Sequence, residues 1–122
     1  MSISDNLKRG SVDLLLLTLL RDEDMYGYQI TQELEKRSSG RYKLAESSMY
    51  PILYRMIDKG LISDRRELVG KRRVRVYYHI EPSGIEYLEH IREEYLSVIG
   101  GVLEVLGEDV NVNWYYLRRS CR

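Results

Sequence analysis

Hydrophobic positions cluster first in Val12–Leu20, VDLLLLTLL, broken only by Asp13 and Thr18. With Ser11 able to cap its start, the run predicts a helix to about Leu20, apolar on nearly every side and therefore buried. RDED follows as a polar turn. MYGYQITQELEKRS predicts a second helix, with Tyr26, Ile30 and Leu34 four apart on one side and Gln29, Gln32, Glu33 and Lys36 on the other. Ser38, Ser39 and Gly40 end it, and RYKL is a short extended link. SSMYPILYRMIDKG, residues 47–60, predicts a third helix, with Ser47 or Ser48 as N-cap, Pro51 in or beside the first turn and Gly60 as the stop. Ile52, Leu53, Met56 and Ile57 form its apolar side.

The period then changes. Val74, Val76, Tyr78 and Ile80 alternate with Arg73, Arg75, Tyr77 and His79, which predicts a half-buried strand with a basic, aromatic outer face. Ser63–Val69 is the partner strand and Gly70-Lys71 the turn. A long helix follows from Pro82-Ser83 to about Leu106, with Ser83 and Glu86 in capping-box spacing. On it Leu88, Ile91, Tyr95, Val98, Val102 and Val105 are spaced as a heptad seam. A second row, Leu96, Ile99, Leu103 and Leu106, widens the apolar face. Gly100-Gly101 lets two backbones approach closely or kinks the helix.

Three helices, a hairpin and a further helix are the order of a winged helix-turn-helix. The expected fold is mainly α with a small β-hairpin, an α+β arrangement: a DNA-binding domain over residues 1–82 and a dimerisation helix with its tail over 83–122. A helix of that length measures about 36 Å at 1.5 Å per residue. It would overhang so small a domain and expose a large apolar patch, so a second copy of the chain is the expected partner.

Charge sharpens this reading. The net charge over 122 residues is zero, but the distribution is uneven. Arg41–His79 holds ten basic residues against four acidic, a net of +6, whereas Glu81–Asp109 holds one basic against eight acidic, a net of −7. A basic middle can hold a polyanion even when the whole chain is neutral. The candidate DNA contacts are Ser47, Ser48, Tyr50, Pro51, Tyr54 and Arg55 at the start of the third helix and Lys71, Arg72, Arg73 and Arg75 on the wing. A recognition helix presents its N-terminal residues to the major groove, and a wing reaches backbone or minor groove. Tyr50 and Tyr54 also suit a core or interface role, Ser47 and Ser48 a capping role, and Lys8 and Arg9 either a backbone contact or a frayed terminus. The candidate dimer contacts are Leu88, Ile91, Tyr95, Val98, Ile99, Val102, Leu103, Val105 and Leu106.

Three stretches resemble the signature blocks of the PadR family of transcriptional regulators: YGYQI (26–30), SSMYPILYRMIDKGLI (47–62) and KRRVRVYYHIEPSG (71–84). The family pattern is YGYxI, then (G/S)TLYPxLxRLxxxGLI, then GRRRxYYxLTxxG, and the resemblance covers most of residues 9–90. Met49 stands where leucine is usual, IEPSG replaces LTxxG, and Val74 and Val76 interrupt a wing that is often more polar. The single C-terminal helix is similar to the short-tailed subfamily. The resemblance implies a homodimer that binds a quasi-palindromic double-stranded DNA operator. It implies a repressor of a nearby gene, released by a small aromatic or drug-like effector at or near the dimer interface. A winged-helix module for protein partners and an architectural DNA binder without sequence preference are the alternatives.

Other classes find little support. No apolar run is long enough to span a bilayer, and the first residues, MSISDNLKRG, lack the layout of a signal peptide, so a cytoplasmic protein is expected. The single cysteine, Cys121, has no internal partner. His79 and His90 stand alone, without ligand spacing, so neither metal nor cofactor is expected. No nucleophile and base pattern suggests an enzyme. Trp114, with Tyr115 and Tyr116, suits either packing on its own domain or stacking on a flat effector.

Overall fold

The computed structural model describes residues 3–108. Trp114, Tyr115, Tyr116 and Cys121 lie outside the described residues. Helices α1 (Ile3–Lys8) and α2 (Val12–Asp22) are followed by a short strand β1 (Met25–Tyr26) and by α3 (Gly27–Arg37) and α4 (Glu46–Asp58). The hairpin is β2 (Ile62–Val69) and β3 (Arg73–Ile80), and α5 runs over Pro82–Leu106. The chain divides into a compact unit ending at Leu88 and a second beginning at Glu89.

The fold is mainly helical, as expected, but its sheet has three antiparallel strands in the order β1-β3-β2. The sequence reading placed Met25 and Tyr26 in a helix; they instead pair with Tyr78 and Tyr77. Two residues carry no periodicity, so pairing with a distant strand decides their state. The helix itself begins at Gly27, and Ile30 and Leu34 are buried as their spacing requires.

The core of the first unit takes five leucines from α2, which is apolar almost all round, together with Met25, Ile30, Met49, Leu53, Met56, Tyr78 and Ile80. Leu88 is fully buried in it as well. Helical spacing enrolled Leu88 in the dimer seam, but a side chain already enclosed by its own domain has no surface left for a second copy.

Helix ends differ from expectation in one consistent way: serines do other work. Ser11 makes no cap hydrogen bond; its Oγ donates to the Lys8 carbonyl at 2.6 Å and lies 2.7 Å from the Tyr42 hydroxyl. Helix α4 starts at Glu46 after an extended Ala45, so neither Ser47 nor Ser48 is the cap. Pro51 therefore sits in the second turn, where it withholds the N–H that Ser47 would otherwise accept from. Glu46 in the first turn suits the positive end of the helix dipole. The other end of α4 closes as expected. Gly60, at φ +74°, donates to Ile57 at 2.9 Å and Leu61 donates to Met56 at 2.9 Å, a Schellman ending.

That ending also receives α5. The Glu81 N–H donates to the Leu61 carbonyl at 2.9 Å, and Ser83 Oγ donates to the Gly60 carbonyl at 2.6 Å. Ser83 is thus a strut between helices and not the cap of a capping box. A Cβ on Gly84 would stand 2.1 Å from the Leu61 carbonyl oxygen and 2.8 Å from Ile80 Cγ1. Backbone cannot swing aside as a side chain can. Gly84→Ala is expected to destabilise the fold by about 2 kcal/mol, lowering the midpoint of thermal unfolding by roughly 10 °C. Unchanged melting would show that this junction is loose.

Helix α5 is continuous through Gly100-Gly101. Within the second unit Val98, Val102, Val105 and Leu106 are exposed, Val105 at 89%. Ile91, Tyr95, Ile99 and Leu103 are half-buried. No described helix is long and apolar enough to cross a membrane.

Candidate nucleic-acid interface

The wing stands on a strict register. Ile62 faces Ile80, Asp64 faces Tyr78, Arg66 faces Val76 and Leu68 faces Val74 on one side. Ser63 with His79, Arg65 with Tyr77, Glu67 with Arg75 and Val69 with Arg73 form the other. The first side is buried at its base, where Ile62, Tyr78 and Ile80 enter the core. Burial at Tyr78 pushes its hydroxyl pKa up to about 12, with the nearby Tyr54, Tyr50 and Asp64 adding to the shift. Further out the alternation fails to bury anything: Leu68 is 69% exposed and Val74 56%. The hairpin outruns the core, so the period of two marks a strand there and not an interior face.

The tip is a three-residue turn, Gly70-Lys71-Arg72, with Gly70 at φ +72°. Lys71, Arg72 and Arg73 are exposed, and none has an ion-pair partner among the described residues. Arg75 differs. Its guanidinium lies 4.3 Å from the centroid of the Tyr26 ring, a cation–π contact that holds it against the base of the wing.

On α4 the predicted contact residues divide by direction. Ser47, Ser48 and Pro51 are exposed. Tyr50 and Tyr54 stack with centroids 6.2 Å apart and planes 24° apart. Tyr54 is exposed, whereas Tyr50 leans against Gly27: a Cβ there would fall 2.3 Å from the Tyr50 hydroxyl oxygen. Burial raises the pKa of Tyr50, with Glu46 and Tyr54 adding to it. Arg55 turns to the other flank of the helix, where one of its terminal nitrogens, Nη2, donates to both oxygens of Asp13 on α2 at 2.8 Å. It can meet DNA only by sharing or leaving that carboxylate. Lys8 is likewise occupied, donating to the Lys43 carbonyl at 2.8 Å and lying 5.5 Å from the Tyr42 ring centroid.

Between α4 and the wing lies an open cleft of 370 Å³ lined by Tyr26, Gly27, Tyr28, Glu46, Tyr50, Tyr54, Val74, Arg75, Val76 and Tyr78. Tyrosine rings with hydroxyl tips, beside one guanidinium, offer donors to phosphate and apolar faces to sugar. The sequence reading found Tyr50, Tyr54 and Arg75 but missed Tyr26 and Tyr28. Both stand in the YGY motif, which the sequence reading set on a helix, whereas their proximity to the wing depends on β1.

A second group escaped the sequence reading altogether. Asp24, in the turn after α2, accepts from Arg65 on β2 and lies 2.7 Å from His79 Nδ1 on β3. Arg65 also donates to Glu67 at 2.9 Å and lies 5.3 Å from the Tyr77 ring centroid. Tyr77 in turn meets Tyr26 edge-on at 5.5 Å. Burial alone would raise the pKa of Asp24, but the hydrogen bonds and charges of His79 and Arg65 outweigh it and hold the carboxyl below its ordinary value.

Comparison with known proteins gives a consistent picture. Residues 16–90 match the model of the Transcriptional regulator PadR-like family. The transcriptional regulator Rv3488 of Mycobacterium tuberculosis is 30% identical over 104 residues, covering 82% of this chain and 94% of its own length. A transcriptional regulator from Clostridium thermocellum superposes with a TM-score of 0.75 at 30% identity, covering 84% of this chain and 97% of that one. A PadR-like transcriptional regulator from Bacillus cereus superposes with a TM-score of 0.72 at 30% identity, covering 83% of this chain and 96% of that one.

Proposed function

The chain belongs to the PadR-like family of transcriptional regulators, whose members are not enzymes, and from that premise we propose that it is a homodimeric repressor reading a quasi-palindromic operator. The observation that carries the DNA-binding part of this reading is the wing-tip set Lys71, Arg72 and Arg73, exposed and without an ion-pair partner among the described residues. Ser47, Ser48 and Pro51 enter the major groove in this reading, and the first-turn N–H groups of α4 attract phosphate. Lys71, Arg72 and Arg73 take the backbone or minor groove beyond it. The sugar-phosphate strand between the two grooves lies along the tyrosine cleft, where Tyr50, Tyr54 and Arg75 meet it.

Residues 1–82 serve DNA and residues 83–122 serve the dimer in this proposal. The exposed Val98, Val102, Val105 and Leu106, with Ile91, Tyr95, Ile99 and Leu103 beside them, support a helix-to-helix contact between two copies. The acidic stretch Glu81–Asp109 is unsuited to a polyanion, which leaves nucleic acid to the basic stretch Arg41–His79. A small aromatic or drug-like effector bound at or near the dimer interface releases the DNA, and the cytoplasm is the compartment in which such a regulator works. Footprinting on the promoter upstream of its own gene tests the dimer-on-operator reading. Two protected half-sites about 34 Å apart, one turn of the duplex, are expected. A single protected site, or uniform protection, would contradict it.

A further inference from the structure

We propose that Asp24 is the positioning residue that aims the wing. This rests on the DNA-binding reading above and assigns a role to a residue that reading does not use. A winged domain needs its wing tip at a fixed distance from its recognition helix, because phosphate contacts set register. Here the outer part of the hairpin leaves the core behind, with Leu68 and Val74 exposed. The pairing of β1 with β3 and the burial of Ile62, Tyr78 and Ile80 anchor its base, and one carboxylate adds a side-chain tie that reaches both strands. Asp24 binds Arg65 on one strand and His79 on the other, so a single side chain spans both strands at the base. From there Arg65 lies on Tyr77, Tyr77 meets Tyr26, and Tyr26 carries Arg75.

Part-exposed ion pairs of this kind contribute little to overall stability. Their effect here is geometric. Arg65 stands five residues before Gly70, about 17 Å along the strand, so a tilt of about 10° at the base shifts the tip by roughly 3 Å. That displacement is enough to lose phosphate contacts that the tip would otherwise make.

The test compares Asp24→Ala in two backgrounds, the natural chain and a chain with Lys71, Arg72 and Arg73 all changed to alanine. The probe is a duplex carrying the promoter upstream of this chain's own gene. In the natural background the change is expected to weaken binding about 10-fold, and in the tipless background less than about 2-fold, since nothing remains to aim. Arg65→Gln approaches the same contact from the wing and is expected to repeat the pattern, which guards against a folding defect peculiar to Asp24→Ala. Equal losses in both backgrounds would mean a merely structural role and would overturn the proposal, as would no loss in either. If the tipless chain binds as tightly as the natural one, the DNA-binding role of the wing fails first, and the proposal falls with it.

Discussion

Changing Lys71, Arg72 and Arg73 together to alanine is expected to weaken promoter binding by about 100-fold near 0.1 M salt and to flatten the salt dependence by nearly three in slope. The reason is counterion release. Each cation seated on a phosphate frees about 0.9 of a condensed ion, so three contacts account for about 2.7 of the slope of log affinity against log salt. None of the three side chains has an ion-pair partner in the described structure to give up, and all are exposed, so folding should be unaffected. The loss should also fall about equally on every sequence, because a phosphate contact carries no base information. Fluorescence anisotropy with a labelled duplex across a salt series reads both quantities. An unchanged slope would mean that the tip is an ordinary solvated charge cluster.

The second large effect is expected at α5. Val98 is 66% exposed and Val102 48%, one turn apart on the same side of the helix. Replacing both with glutamate places two charges where the dimer reading requires a dry seam, and a desolvated unpaired charge costs several kcal/mol. The expected result is a monomer by sedimentation at micromolar concentration. Operator affinity should then drop by 100-fold or more, since the second half-site is no longer held at high effective concentration. Retention of the dimer would move the interface off this face. Loss of the dimer without loss of affinity would mean that one subunit is enough to bind.

Periodicity told much of this story. The buried leucine helix, the two strands of the hairpin, the stop at Gly60 and the reach of α5 to Leu106 all follow from apolar spacing and turn residues, because each is decided within a few residues of sequence; the turn does not, since it takes Gly70, Lys71 and Arg72 instead of Gly70-Lys71 alone and so sets Val69 opposite Arg73. What the sequence did not disclose is decided at a distance. Ser83 resembles a cap until the Gly60 carbonyl, 23 residues away, takes its hydroxyl. Leu88 fits the seam by spacing, yet spacing names no neighbour. Asp24 looked like part of a polar turn, and its two partners are 41 and 55 residues further on. Arg55 was legible as a cation on the third helix, but not its pairing with Asp13 on α2. The YGY motif, where β1 passes into α3, shows the same limit: its glycine is explained only when Tyr50 is seen to lie against it.

In the proposed function α4 and the wing read one operator together. The most direct measurement is binding to the promoter DNA upstream of the chain's own gene, titrated with salt and challenged with random-sequence competitor. Tight binding that survives excess competitor and weakens steeply as salt rises is the expected result. Binding equal to that of random DNA, or none even at low salt, would contradict it.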